Sequence, residues 1–190
     1  MQAVLSISGG MDSTCLLINL LARGYTVNAF SFNYGQKHVL ELERLDDNLK
    51  YLSDKGYKIK HKRIDLKSAF STLKSSLLDP DIDTPLGHYE NDNMKATVVP
   101  NRNAIFSSII YAQAQSIANR TNQKVIISLG VHSGDHVIYP DCRPRFYSIL
   151  EQAFKEGNWN SDLVDFDLPY LYTDKAGILR DALAALIAPT

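Results

Sequence analysis

The sequence predicts a single α/β domain built on a doubly wound parallel sheet. Short apolar segments with the pattern of buried strands alternate along the chain with longer segments that have helical spacing. Strands that alternate with helices in this way form parallel sheets through right-handed crossovers. With 190 residues, of which 45% are apolar and 22% charged, the chain has the size and composition of one globular domain with a full hydrophobic core.

The first part of the chain contains three predicted strands and two predicted helices. The first helix carries one stripe of leucines, can be capped by Asp12 or Ser13, and should end at Gly24. In order, the predicted elements are a buried strand at residues 3–8, this helix, a strand at 27–32, a charged surface helix at 40–55 and an outer strand at 58–64.

Residues 68–97 interrupt the alternation and predict a loop insertion. Pro80, Pro85 and Gly87, together with a polar stretch, are typical of a loop. Beyond it the predicted elements are a helix at 101–119, a buried strand at 124–130, a helix at 145–156 and a last helix at 174–186. We therefore predict one domain over residues 1–190 that carries the insertion within it.

The composition argues against several classes of protein. A net charge of −1 gives no global field that would attract nucleic acid or an anionic membrane. Cys15 and Cys142 lie far apart, so they predict neither a disulfide framework nor a four-cysteine zinc site. The first residues do not resemble a signal peptide, and no apolar run approaches the roughly 20 residues that span a bilayer. We expect a cytoplasmic protein without a membrane or nucleic-acid partner.

A glycine loop joins the first strand to the first helix: Ser8-Gly9-Gly10-Met11-Asp12-Ser13-Thr14. Two glycines let the backbone turn sharply and approach an anion, while the hydroxyl groups and the helix N-terminus add favourable donors and charge. Asp12 would repel bare phosphate, so we expect it to bind magnesium or to cap the helix. The loop predicts a phosphate site, with an ordinary strand-to-helix turn as the alternative. No Walker-type or G-x-G-x-x-G motif is present.

This loop resembles the PP-loop of the N-type ATP pyrophosphatases, a superfamily that adenylates substrates and releases pyrophosphate. Three further segments resemble the 7-cyano-7-deazaguanine synthase family: residues 30–38, 99–103 and 130–146. The most distinctive string is Tyr139-Pro140-Asp141-Cys142-Arg143. The resemblance extends from about residue 3 to about residue 180, and it implies a Rossmann-like fold of the adenine nucleotide alpha hydrolase type.

The resemblance also implies a reaction. ATP with Mg²⁺ would drive conversion of 7-carboxy-7-deazaguanine and ammonia to 7-cyano-7-deazaguanine, through adenylated intermediates and with release of AMP and pyrophosphate instead of ADP. An enzyme that stops at the amide would need only the first adenylation. The family resemblance favours a homodimer. Two other hypotheses remain open: a PP-loop ATP pyrophosphatase that modifies tRNA, and an inactive protein that binds a nucleotide or a deazapurine.

The resemblance assigns roles to particular residues. The predicted ATP-binding residues are Ser8, Gly9, Gly10, Met11, Asp12, Ser13, Thr14, Phe32, Tyr34 and Arg102, and the predicted catalytic residues are Arg102, Lys175 and Asp12. Arg102 has the planar fork of donors that suits a phosphate or an acyl-adenylate. The alternatives are a surface ion pair for Arg102, a solvated side chain for Lys175, and plain packing for the two aromatic residues.

The predicted substrate-binding residues are His132, Asp135, Tyr139, Pro140, Asp141, Cys142 and Arg143. Asp141 can accept hydrogen bonds from a guanine-like edge, Arg143 can face the substrate carboxylate, and Tyr139 can stack on its ring. A proline-fixed turn is the alternative for this segment. His132 and His136 are four residues apart, but the surrounding loop composition argues against a metal pair, and we predict no metal-ligating residues apart from the magnesium role left open for Asp12.

The family normally continues with a cluster of cysteines that binds structural zinc. This sequence ends at Thr190 without those cysteines. We therefore expect a short form, either naturally free of zinc or truncated, and we do not predict zinc as a cofactor.

Overall fold

A computed structural model describes residues 1–37, 39–79, 81 and 96–187. Its strands and helices are β1 (Gln2–Ser6), α1 (Met11–Ala22), β2 (Thr26–Asn33), α2 (Val39–Asp54), β3 (Ile59–Asp65), α3 (Lys67–Phe70), α4 (Arg102–Thr121), β4 (Val125–Leu129), α5 (Pro144–Gly157), β5 (Val164–Phe166) and α6 (Lys175–Ile187). Every predicted strand and helix is present. Of the predicted insertion at 68–97, residues 80 and 82–95 lie outside the described residues.

The five strands form one parallel sheet in the order β3-β2-β1-β4-β5. Leu5 of the central strand pairs with Ala29 of β2 on one side and with Ser128 of β4 on the other. The chain therefore builds the sheet outward in one direction through β3 and then returns to the other side of β1. This is the doubly wound arrangement that the sequence predicts, and β3 is the edge strand, as expected.

Helices cover both faces of the sheet. Ala3 and Leu5 pack with α1, α2 and α6 on one face, whereas Val4 packs with α4 and α5 on the other. Leu16 and Ile110, one from each helical layer, are completely buried. Burial of each such side chain stabilises the fold by about 1.5–3 kcal/mol. The alternation along β1 thus fixes which helices lie on which side.

The start of α1 differs from the prediction. Gly10, and neither Asp12 nor Ser13, is the N-cap, and no side chain caps the helix. Ser13 instead lies inside the first turn, where its hydroxyl donates to the Gly10 carbonyl at 3.1 Å. At the other end the prediction is confirmed, because Gly24 has a φ of +78° and its N–H donates to the Leu21 carbonyl.

The sequence pattern did not predict β5. Its three residues are too few to show a period, and only Val164 is fully buried. The strand forms because it extends the edge beyond β4, where Val125 pairs with Val164. Within the described residues, none of the helices combines the length and the apolar composition that crossing a membrane requires.

Candidate active site

A cavity of about 250 Å³ lies at the carboxyl ends of β1, β2 and β4. In this fold the strand order reverses between β1 and β4, and the crevice at that point is where such sheets bind ligands. The predicted residues that line it are Ser8, Gly10, Asp12, Ser13, Phe32, Tyr34, Arg102, Asp135 and Cys142. The sequence prediction thus converges on one cavity from segments that are far apart along the chain.

The glycine loop is held in shape by its own hydroxyl groups. The Ser8 N–H donates to the Ser13 hydroxyl at 3.2 Å, and the two hydroxyl oxygens are also 3.2 Å apart. The Gly10 N–H donates to the Ser8 hydroxyl at 3.2 Å. These bonds fix the loop before any ligand arrives, at the positive end of the α1 dipole. Phosphate binding at such a helix N-terminus needs no further charged side chain.

Two glycines bring other elements against this loop. Gly9 has a φ of +91°, and a Cβ at this position would overlap the backbone oxygen of Glu41 in α2. Gly130 follows β4, and a Cβ there would lie 3.1 Å from the Ser13 backbone nitrogen. The first glycine lets α2 pack on the loop, and the second lets the β4 loop approach the start of α1.

His132 connects the glycine loop to the loop after β4. Its Nε2 lies 3.5 Å from Asp12 Oδ2 and 3.5 Å from Asp135 Oδ2. The interaction with Asp12 raises the pKa of His132, and burial opposes the shift. Burial raises the pKa of Asp135, although His132 and the nearby Lys175 oppose the shift. His132 is only 2% exposed and does not line the cavity, whereas both carboxylates do.

Arg102 is the first residue of α4 and faces the same cavity. Burial opposes its charge, but Tyr34 and Asp141 outweigh that effect and raise the pKa of the guanidinium. Beside it, the rings of Phe32 and Phe106 are stacked, with centroids 4.1 Å apart and planes 7° apart. The cavity therefore combines a permanent cation, the glycine loop and an aromatic wall.

The predicted substrate segment at residues 139–143 packs on the start of α4. Asp141 Oδ2 accepts a hydrogen bond from the Asn103 N–H at 3.2 Å, and the Asn103 amide lies 3.3 Å from Cys142 Sγ. The Tyr139 hydroxyl is 2.6 Å from that of Thr97. Arg143 is exposed, and its Nε donates to the His136 carbonyl at 2.8 Å. Of the five predicted residues in this segment, Cys142 lines the cavity.

Cys142 is not set up as a nucleophile. Burial raises the pKa of its thiol to about 12, and the carboxylates of Asp135 and Asp141 add to the shift. A nucleophilic cysteine needs the opposite environment, one that stabilises the thiolate. Packing and contact with a ligand are the roles left open for this buried side chain.

The remaining predicted residues do not line the cavity: Gly9, Met11, Thr14, His132, Tyr139, Pro140, Asp141, Arg143 and Lys175. Lys175 begins α6 and lies close enough to Asp135 to lower its pKa against the effect of burial. Among the described ranges, no group of three or more His, Cys, Asp or Glu side chains is arranged to hold a metal ion.

Several lining residues were not predicted, among them Gln36, Glu41, Asn103 and Phe106. Gln36 accepts from the Tyr34 N–H and donates to the Phe32 carbonyl, which holds the segment after β2. Asn103 and Gln36 lie inside segments that resemble the family, and this resemblance is the sequence feature from which they could have been predicted. The approach of Glu41 to the glycine loop is a tertiary contact that leaves no local pattern in the sequence.

Solved structures support the fold. A predicted subunit of tRNA methyltransferase from Methanocaldococcus jannaschii superposes with a TM-score of 0.56 and 15% identity, over 96% of this chain and 74% of that one. The U34-tRNA thiolase NcsA from Methanococcus maripaludis gives a TM-score of 0.50 and 16% identity, over 98% of this chain and 56% of that one. At these identities the likeness is one of fold alone.

Sequence relatives are much closer. A 7-cyano-7-deazaguanine synthase from Hahella chejuensis is 45% identical over 183 residues, which cover 96% of this chain and 74% of that protein. The 7-cyano-7-deazaguanine synthase 2 of Colwellia psychrerythraea is 46% identical, over 96% of this chain and 78% of that protein. Residues 2–187 match the family model described as queuosine biosynthesis protein QueC. The predicted resemblance is confirmed, and the chain belongs to the QueC family.

Proposed function

We propose that this chain converts 7-carboxy-7-deazaguanine and ammonia to 7-cyano-7-deazaguanine, with consumption of ATP. The observation that carries the proposal is that the glycine loop and Arg102 line the same cavity, at the point where the strand order of the sheet reverses. A glycine loop that can bind phosphate and a half-buried cation on the same cavity suit a reaction in which a nucleotide phosphate is attacked. The names of the relatives that are more than 40% identical to this chain supply the substrate.

The chemistry follows from the poor reactivity of a carboxylate. A substrate carboxylate oxygen attacks the α-phosphorus of ATP, and pyrophosphate leaves. The ammonia lone pair then attacks the acyl carbon of the adenylate, AMP leaves with the electron pair of the broken C–O bond, and an amide remains after loss of a proton. A second adenylation, on the amide oxygen, lets AMP depart as the nitrogen loses its protons and the nitrile forms. Both ATP molecules end as AMP and pyrophosphate.

The residues divide this work by position. The Gly9 N–H and the first N–H groups of α1 hold the pyrophosphate portion, and the Gly10 N–H joins them by exchanging its bond to the Ser8 hydroxyl for one to phosphate. Arg102 neutralises charge that develops at the α-phosphate, where a preformed cation in a water-poor site is most effective. Phe32 and Tyr34 contact the adenine. Lys175 approaches the phosphates from the start of α6.

The deazapurine lies toward the loop after β4 in this proposal. Asp135 and Cys142 contact it from the cavity wall. Tyr139, Asp141 and Arg143 stay predicted substrate residues. Within the part of the chain that the structure describes, Asp141 bonds through Oδ2 and Arg143 through Nε, so Oδ1 and the terminal guanidinium nitrogens can meet a ligand. Pro140 and His132 complete the predicted set.

Magnesium fits one feature of the site. Oδ1 of Asp12 is buried and has no hydrogen-bond partner among the described residues. A carboxylate oxygen of this kind, with phosphate oxygens of the nucleotide, is the donor set that Mg²⁺ prefers. When bound there with ATP, the ion would neutralise phosphate charge. The proposal also includes ammonia as the nitrogen donor and a homodimer, both on the family resemblance, and the cytoplasmic location that the sequence predicts.

Mass spectrometry tests the proposal on purified protein incubated with Mg-ATP, ammonium and 7-carboxy-7-deazaguanine. Nitrile with AMP is the expected result. Amide alone would mean that the enzyme stops after the first adenylation. A reaction without ammonium is the control, and it should give no nitrogen-containing product. Intact ATP and unchanged substrate would contradict the proposal, and pyrophosphate release that needs added tRNA would favour the tRNA-modifying alternative.

A further inference from the structure

Both ring nitrogens of His132 face protein groups. Nδ1 accepts a hydrogen bond from the Gly134 N–H at 3.0 Å. An acceptor nitrogen carries its lone pair and not a proton, so in the neutral ring the proton must lie on Nε2. A second proton would go to Nδ1 and leave Nε2 unchanged. The Nε2–H donor is therefore present in either charge state.

Nε2 lies near two carboxylates that belong to different elements. Asp12 lies in the first turn of α1, Asp135 lies in the loop after β4, and each Oδ2 is 3.5 Å from Nε2. Arg102 from α4 and Lys175 from α6 act on Asp135 from other sides. Both carboxylates line the cavity, where they would repel one another and the phosphates of a nucleotide. A shared proton donor behind them offsets part of that repulsion.

The ring orientation is fixed by packing as well as by hydrogen bonding. A Cβ added to Gly134 would lie 2.9 Å from His132 Cε1 and 3.0 Å from Nδ1, so the backbone of this glycine lies close to that edge of the imidazole. His132 also caps the short 3-10 turn Ser133–Asp135. The loop therefore places Asp135 and orients the ring through the same few atoms.

We propose that His132 is a positioning residue, which holds Asp12 and Asp135 at the phosphate end of the cavity and does not touch the substrate. Its kinetic consequences rest on the proposed function, but its geometry does not. With its side chain 2% exposed, Nδ1 hydrogen-bonded to the Gly134 N–H and Nε2 3.5 Å from the Asp12 and Asp135 oxygens, it has no surface to offer a ligand. The inference replaces the substrate-binding role that the sequence suggests for this histidine.

Two substitutions separate the contact of His132 with the two carboxylates from its hydrogen bond to the Gly134 N–H. His132→Asn keeps an acceptor for the Gly134 N–H but has no donor that reaches the carboxylates. His132→Gln keeps a donor of the right length but loses the local acceptor. We expect His132→Asn to lower kcat by about 10–100-fold, as loss of an outer-shell partner typically does, with KM for the deazapurine unchanged. His132→Gln should retain most of kcat.

The opposite pattern, in which Asn retains kcat and Gln loses it, would mean that His132 only caps the turn. A raised KM with unchanged kcat would mean that it binds substrate. His61→Asn is the matched control. This histidine also makes one side-chain bond, with Nε2 2.9 Å from the Ser31 hydroxyl, but it lies on edge strand β3, and we expect no change in kcat.

Nitrogen NMR tests the geometry without any assay. The chain has 5 histidines. The His132 signals are assigned as those present in the wild-type spectrum and missing from the spectrum of a folded His132 variant. In the ligand-free protein the neutral ring should carry its proton on Nε2, with Nδ1 unprotonated. A proton on Nδ1 in the neutral ring would overturn the inference. This result stands even where the wild-type protein makes no nitrile, so failure of the proposed function and failure of this inference can be told apart.

Discussion

Two segments carry the most distinctive strings of this chain, and they use their side chains in opposite ways. The glycine loop, Ser8–Thr14, follows β1, and the turn segment, Tyr139–Arg143, follows β4. In the glycine loop the hydroxyl groups of Ser8 and Ser13 bond to one another and to the loop backbone. The first N–H groups of α1 have no acceptor within the helix, and a ligand can satisfy them.

The turn segment binds protein with its side chains. Asp141 accepts from Asn103 in the first turn of α4, and Tyr139 contacts Thr97. The segment thereby supports the N-terminal end of α4, which begins at Arg102. A distinctive sequence segment can therefore contact a ligand directly, through its backbone, or act indirectly, by positioning a residue on another element. Substitutions in the two segments should therefore differ in what they damage.

The largest effect is expected from Gly9→Ala. An alanine would have to keep a φ of +91°, and its Cβ would overlap the Glu41 backbone oxygen, so α2 or the loop must move. ATP binding and AMP formation should both be lost, as measured by calorimetry and by nucleotide analysis with the deazapurine present.

Gly56→Ala is the control for backbone strain alone. Gly56 has a φ of +89° but nothing within 4 Å of the added Cβ, so both variants share a cost of about 1–2 kcal/mol for the left-handed conformation. Gly56→Ala should lose stability and keep activity. Normal ATP affinity in Gly9→Ala would show that the loop backbone does not hold the phosphates.

The next effect in size is that of Arg102→Lys. Lysine keeps the charge but lacks the planar fork that can hold two phosphate oxygens. We expect kcat to fall on the order of 10²–10³-fold, the range for loss of a group that stabilises developing charge. Arg120→Lys, near the other end of the same helix and exposed, should leave kcat unchanged. Equal kcat in the two variants would remove Arg102 from the chemistry.

The same comparison explains what the sequence could predict. The glycine loop is local: its residues are consecutive, and spacing and residue type alone placed it between β1 and α1. The partner of Asp141 is Asn103 and the partner of His132 is Asp12, each far away in the chain, so no spacing rule could reveal them. The resemblance drew attention to the turn segment, of which Cys142 lines the cavity, but gave no information about which of its side chains were already bonded.

A smaller effect should separate two roles of Asp141. Its bond to the Asn103 N–H resembles a helix cap, and Asp141→Ala should cost about 0.5–2 kcal/mol in the free energy of unfolding. Asp141→Asn keeps an accepting oxygen and should keep that stability. Because its amide would face the N–H donors of the substrate, we expect KM for 7-carboxy-7-deazaguanine to rise. Wild-type kinetics in Asp141→Asn would limit this residue to supporting α4.

The smallest effect concerns the thiol of Cys142, the one member of the turn segment that lines the cavity. Burial raises its pKa to about 12. The fold therefore favours the neutral thiol, and at pH 8 the reactive thiolate should be only about one part in ten thousand. Iodoacetamide at pH 8, followed by peptide mass spectrometry, should label Cys142 slowly in the folded protein and quickly in urea. Cys142→Ser should retain activity, because a hydroxyl can also accept from the Asn103 amide. Rapid labelling of the folded protein would mean that this side of the cavity is open to solvent and that the thiol is a candidate for reaction with substrate.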